Sequence, residues 1–193
     1  TCGGCAWQHL AYAAQLRAKA TIVTDALSRI GGIFVREPLE VVPSPEPYGY
    51  RGRARPWVSH GRPGFRAAGS TRHVPVEDCP VLAPPLRAAL RAMAGDGLAD
   101  GEWELALGRP DPEHPDGVRR TRLEPGAEAG PLLELEGPDG AVRIAPGGFA
   151  QANPLLFGPL IGAVTRAAGT GSRLLELYAG SGFFTTALTG AFE

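Results

Sequence analysis

Two residue types are nearly missing from this 193-residue sequence: it holds one methionine, Met93, and one lysine, Lys19. Positive charge therefore rests on arginine, and 20 acidic residues bring the formal net charge to −1. The chain as a whole has no electrostatic reason to hold nucleic acid, so any such reason must come from local clustering. No run reaches the roughly 18 apolar residues of a membrane-spanning helix. The first residues, Thr1-Cys2-Gly3-Gly4-Cys5, lack a basic segment followed by an apolar one, so no signal peptide is expected and nothing points to secretion. A cytoplasmic, monomeric protein that does not meet a membrane is the expectation. Three cysteines, an odd number without a secretion signal, argue against a disulfide framework. The missing initiator methionine, and the abrupt stop at Ala191-Phe192-Glu193 after a strongly patterned segment, suggest that both ends are cut.

What the sequence does have is apolar content, 44%, enough to pack a core, and 27 glycines with 19 prolines gathered between the apolar stretches. The first element reads as a helix from Trp7 to Ile30. Tyr12, Leu16, Ala20, Val23, Leu27 and Ile30 recur every three or four residues, and Gly31-Gly32 supplies a stop. Short strands joined by Gly and Pro turns are expected from Tyr48 to Val76, and a short helix from Leu86 to Met93. Trp103 to Leu107 alternates like a half-buried strand. Arg109 to Gly130, rich in Pro, Gly and charge, reads as a mobile surface loop. Leu132–Leu135 and Ala141–Ile144 read as strands joined by the turn Gly137-Pro138-Asp139-Gly140. A helix is expected over Asn153–Ala168. Next comes a buried strand, Arg173–Tyr178, running into the turn Ala179-Gly180-Ser181-Gly182 and a further helix from Phe183. The boundary between two domains, 1–146 and 147–193, falls near Gly147.

Three groups of residues carry candidate chemistry. A strand, a glycine turn and a helix, here Leu174 to Gly182 and beyond, open a doubly wound α/β unit, where a nucleotide-type cofactor meets backbone N–H groups. The turn lacks the three-glycine dinucleotide fingerprint, which favours S-adenosylmethionine over NAD; an ordinary βα turn remains the alternative. The stretch from Pro47 to Val76 carries Arg51, Arg53, Arg55, Arg62, Arg66 and Arg72 among Tyr48, Tyr50, Trp57 and Phe65. Arginines can meet phosphates and aromatic rings can stack on unpaired bases, so RNA contact is one reading and a solvated strand face beside core aromatics the other. Cys2-x-x-Cys5 with the distant Cys79-Pro80 matches part of an iron–sulfur ligand set. A zinc site adding His9 or His73 is the alternative, and three unrelated thiols the plainest one.

Taken in order, these segments resemble a known family. Cys2-Gly3-Gly4-Cys5 with Trp7-Gln8-His9-Leu10, Pro43-Ser44-Pro45 leading to Tyr48-Gly49-Tyr50-Arg51-Gly52-Arg53, Gly64-Phe65-Arg66 to Ser70, Asp78-Cys79-Pro80, Phe149-Ala150-Gln151-Ala152-Asn153 and the glycine turn after Tyr178 are similar to RNA 5-methyluridine methyltransferases. The likeness is nearest to the iron–sulfur branch acting on ribosomal RNA (RumA/RlmD-like) and weakest from Gly95 to Gly140. A tRNA-modifying enzyme and a non-catalytic RNA- or metal-binding module are the rivals. The implied fold is an α+β central domain followed by the start of a doubly wound, Rossmann-like α/β methyltransferase domain.

The resemblance implies that Cys2, Cys5 and Cys79 are three of four ligands of a 4Fe-4S cluster. It implies that Gln151 and Tyr178 touch S-adenosylmethionine, beside the Gly180 and Gly182 backbone. Arg51, Arg53 and Arg66 are expected on one exposed, RNA-facing surface. Gly52 stands where the family usually has Asn, Ala179 replaces a frequent Cys, and Phe183 replaces a polar residue. The family's nucleophilic Cys and its base Glu lie well downstream of the glycine turn, so no catalytic residue is assigned here and this stretch alone is expected to be inactive. Segment 169–193 is expected to be poorly ordered or packed against the central domain.

Overall fold

The computed structural model of this chain describes residues 2–126, 131–137 and 140–192. Its first element, α1 (Tyr12–Arg29), starts later than the apolar spacing predicts, because Trp7 to Leu10 forms a turn instead. Alanines favour the helix, an Arg29–Asp25 pair at 2.5 Å supports its last turn, and Gly32 ends it at φ +63°. The apolar stripe does not face a core: no residue of α1 is buried, and Val23 and Ile30 are 49% and 87% exposed. The helix is tethered at its start, where the Tyr12 hydroxyl accepts the Ser44 N–H at 2.6 Å.

The central unit is an antiparallel sheet. β1 (Arg53–Ala54) and β2 (Trp57–Ser59) lie along one edge of β5 (Gly101–Leu107), and β6 (Val118–Leu123) lies along the other. Beyond β2 come β3 (Arg62–Arg66) and the edge strand β4 (His73–Pro75). Arg55-Pro56 separates β1 from β2, since Pro56 has no N–H to give the ladder. The β2–β3 hairpin turns through His60 at φ +50° and Gly61 at φ +69°, the left-handed pair that a two-residue turn requires.

The helix α2 (Pro84–Ala92) opens on two prolines, where missing N–H groups cost no helical bond. It lays Leu86 and Leu90, with Met93 after it, on one face of the sheet against Val58, Ala54, Leu105 and Val118. These three side chains are fully excluded from water, which stabilises the fold by about 1.5–3 kcal/mol each.

A second cluster lies elsewhere. β7 (Leu133–Gly137) and β8 (Gly140–Ile144) form a separate hairpin whose Leu133, Leu135, Val142 and Ile144 pack with Ala106 of β5. The expected turn residues Pro138 and Asp139 lie outside the described residues, as do 127–130. Ala150 and Phe183 join this cluster, so it draws on residues from both sides of Gly147. A 3-10 turn at Pro154–Leu156 leads into α3 (Phe157–Ala168), and the short α4 (Thr185–Leu188) follows. Phe157 meets Phe183 edge to face, with ring centres 4.9 Å apart.

Two sequence expectations are corrected here. Arg109–Gly130 is not loop throughout, because β6 lies inside it. Arg120 and Arg122 are exposed, Arg122 on Glu124 at 2.8 Å, while Arg119 is half-buried on Asp111 at 2.5 Å and Val118 is buried. The expected strand Arg173–Tyr178 does not form. Among the described residues no parallel strand lies beside it, so Leu175, Leu177 and Tyr178 are exposed; Glu176 accepts the Thr185 hydroxyl at 2.6 Å, and an isolated bridge joins Gly171 to Phe192. The segment is held to the rest of the chain through Phe183.

Candidate functional site

The Cys-x-x-Cys turn sits beside the end of β3, where Cys2 bridges to Ala67 and Gly3 N–H donates to Arg66 O at 2.8 Å. A side chain at Gly3 would meet the Ala68 backbone at 2.6 Å, so glycine is what allows this close approach. Cys79 comes from the loop before α2. Its neighbour Asp78 is gripped by Arg87 of α2 and by Arg91 at 3.0 Å, which hold the carboxyl down at about 2. Helix and thiol are thereby fixed to each other.

The three cysteines line one cavity of about 680 Å3. Burial, then the charges of Cys79 and Cys2, push the Cys5 thiol above its ordinary value, while Arg51 pulls it down. Sequence positions 2, 5 and 79 thus meet at one cavity. Among the described residues no group of three His, Cys, Asp or Glu is already set as a metal site. The zinc alternative finds no support in its histidines. His73 Nε2 lies 3.1 Å from Trp57 O on β2, and neither His9 nor His73 lines the cavity.

Gln151 lines the same cavity, as do Phe149 and Glu104. The predicted cofactor residues are therefore split. Gln151 lies with the thiols, whereas Tyr178 is fully exposed at φ +60° and, like Gly180 and Gly182, stands outside the cavity. Positive φ at Gly180 and Gly182, +60° and +75°, shows why that turn calls for glycine. Gly52 is also explained: its N–H donates to Ala152 O at 2.8 Å, and a Cβ there would press on Pro154 at 3.2 Å.

The arginines do not share one exposed face. Arg66 is exposed and lies over the Trp57 ring at 5.5 Å. Arg51 is half-buried, its Nε donating to Arg53 O at 2.8 Å. Arg53 is buried: its Nη2 meets Glu104 Oε1 at 2.5 Å and its Nη1 donates to Gly148 O at 2.8 Å. A buried guanidinium needs a partner, and Glu104, 51 residues away in sequence, provides it. The sequence reading missed Glu104, whose only signal is a polar position in an alternating strand.

The fold is one of mixed α and β elements. The solved Pyrococcus abyssi tRNA (uracil-54, C5)-methyltransferase, in complex with S-adenosyl-L-homocysteine, matches with a TM-score of 0.72 over 98% of this chain and 57% of that one. At 21% identity that likeness is one of fold. No family model matches. An uncharacterized RNA methyltransferase of Thermosynechococcus vestitus is 35% identical over 136 residues, covering 68% of this chain and 29% of that protein. The 23S rRNA (uracil(1939)-C(5))-methyltransferase RlmD of Pseudomonas fluorescens is 42% identical over 92 residues, 45% of this chain and 20% of that one. An uncharacterized RNA methyltransferase of Streptomyces avermitilis is 29% identical across 97% of this chain and 51% of its own length. The chain spans less than a third of the first of these relatives. Its relatives by sequence are RNA methyltransferases, with a 23S rRNA uracil-C5 enzyme among them. None of the described helices is long and apolar enough to cross a membrane.

Proposed function

We propose that this chain is the central part of a cytoplasmic, monomeric, S-adenosylmethionine-dependent enzyme that methylates C5 of a uridine in 23S ribosomal RNA. The observation that carries the reading is the gathering of Cys2, Cys5 and Cys79, from two distant stretches, on one cavity with Gln151. Soft thiolates suit an iron–sulfur cluster, and these three thiols would be three of its four ligands. The fourth would have to come from outside these residues, since the sequence holds three cysteines. S-adenosylmethionine supplies the methyl group when bound, and Gln151 offers it an amide on the cavity wall. Arg66 and the aromatic residue beneath it would meet RNA. Methylation at uracil C5 calls for a nucleophile at C6 and a base for the C5 proton. With all three thiols on the cavity, no cysteine of this stretch is left for the first role.

The test is transfer of radiolabelled methyl from S-adenosylmethionine by the complete product of the reading frame that contains this chain. Unmodified 23S rRNA and tRNA are offered separately, and the product is mapped by nuclease digestion and mass spectrometry. Label in 23S rRNA as 5-methyluridine is expected. Label in tRNA alone would move the protein to the tRNA-modifying reading, and label in neither would end the proposal.

A further inference from the structure

We infer that Arg53, Arg55 and Glu104 are positioning residues that hold the 147–152 segment, and with it Gln151, against the thiol cavity. The inference rests on the cofactor role proposed for Gln151 and goes beyond it, because none of the three residues need touch the methyl donor. Glu104 stands at the centre. Its Oε1 takes Arg53 at 2.5 Å and lies 3.7 Å from Arg55 Nε, and its Oε2 accepts the Gly147 N–H at 3.1 Å. Arg53 reaches past the carboxylate to Gly148 O at 2.8 Å, and Arg55 donates to Gly147 O. On the far side the Gly52 N–H holds Ala152 O at 2.8 Å. Four successive residues, Gly52 to Arg55, thus supply three of the contacts that cradle 147–152.

The segment is shaped to be gripped. Gly147 sits at φ +75°, and a Cβ at Gly148 would meet Ala145 O at 2.9 Å, so the backbone folds tightly enough to present two carbonyls to the guanidinium groups. Arg53 and Glu104 have side chains only 10% and 5% exposed. Such a pair contributes little net stability against its desolvation, but it fixes geometry. Its hydrogen bonds leave on one side toward the backbone just ahead of Phe149 and Gln151. The basic stretch therefore does two jobs: Arg66 stays outside, and Arg53 braces the interior.

The test uses Glu104→Gln and Arg53→Lys in the complete gene product. Three quantities are measured for each: S-adenosylmethionine affinity, affinity for an rRNA fragment, and amide hydrogen exchange over residues 147–152. Faster exchange at Gly147 and a loss of cofactor affinity of about tenfold to a hundredfold are expected, with RNA affinity unchanged. Should Glu104→Gln fail to fold, the paired Arg53→Met and Glu104→Leu variant leaves no buried charge alone and is read the same way. Faster exchange with unchanged cofactor affinity would make the cluster merely structural and overturn the inference. Loss of RNA affinity alone would overturn it too, placing Arg53 on RNA. Both outcomes leave the methyltransferase reading standing. If the parent protein binds no S-adenosylmethionine, that reading fails and this one fails with it.

Discussion

Replacing Gly64 with alanine separates two reasons for a glycine, because Gly61 in the same hairpin offers the opposite case. Gly61 has φ +69° and open space around it, so Gly61→Ala meets only the cost of a left-handed backbone, roughly 1 kcal/mol. Gly64 has an ordinary φ but no room. A Cβ there would lie 2.2 Å from Val74 O and 2.5 Å from His73 Nε2, the first roughly 1.3 Å inside the ~3.5 Å separation of atoms in contact. The obstruction is backbone, so no rotamer change relieves it. Relief requires β4 to move away, which strains the Phe65–Val74 pairing and the 3.1 Å contact of His73 with Trp57 O. Overpacking and weakened hydrogen bonds together should cost about 3 kcal/mol. In a chain of this size 1 kcal/mol moves the melting temperature by about 2–4 °C. Thermal unfolding followed by circular dichroism should therefore fall about 6–12 °C for Gly64→Ala and about 2–4 °C for Gly61→Ala. Equal shifts, or a Gly64→Ala protein that melts with the parent, would refute the steric argument.

Anaerobic reconstitution with iron and sulfide should give a broad visible absorption that Cys79→Ser weakens; an identical spectrum from that variant would remove Cys79 from the ligand set. Asp78, held near 2 by Arg87 and Arg91, has a folded-state value below its ordinary 3.8. Its contribution is thus complete above about pH 4 and fades as pH falls toward 2, and carboxyl NMR showing titration near 4 would contradict it. Arg66→Glu should weaken RNA binding and flatten its salt dependence, by a slope of about one for a lost phosphate contact and more for the reversed charge. An unchanged slope would take Arg66 off the RNA face.

Some of this molecule could be read from residue order and some could not. The helix around Leu86 and Leu90 and the strands of the β7–β8 hairpin were legible because each is set by local periodicity; the strand at Trp103 to Leu107 was legible too, but Glu104, Leu105 and Ala106 are all buried where alternation predicted one face only. The grouping of Cys2 and Cys5 with Cys79 came from ligand spacing and resemblance, since no periodic rule joins residues so far apart. Arg53 was misread as a surface charge because its partner Glu104 lies across the sheet. β6 was hidden by the charges of Arg119, Arg120 and Arg122; Arg120 and Arg122 share the exposed face of a strand whose Val118 is buried. The run Leu174 to Leu177 misled in the other direction: its composition suits a buried strand, but a strand forms only where a neighbour supplies hydrogen bonds. Nothing local marked Tyr178 as standing apart from Gln151.

Leu105 and Ala106 are adjacent on β5, and each is almost completely buried, but in different clusters: Leu105 beneath α2, Ala106 beneath the β7–β8 hairpin. One strand is thus the shared wall of two interiors. The two halves cannot open independently, because exposing either face of β5 loosens the backbone that the other face is built on. Unfolding should therefore be a single cooperative event, with the β5 amides the last to exchange with solvent and the exposed helix α1 among the first.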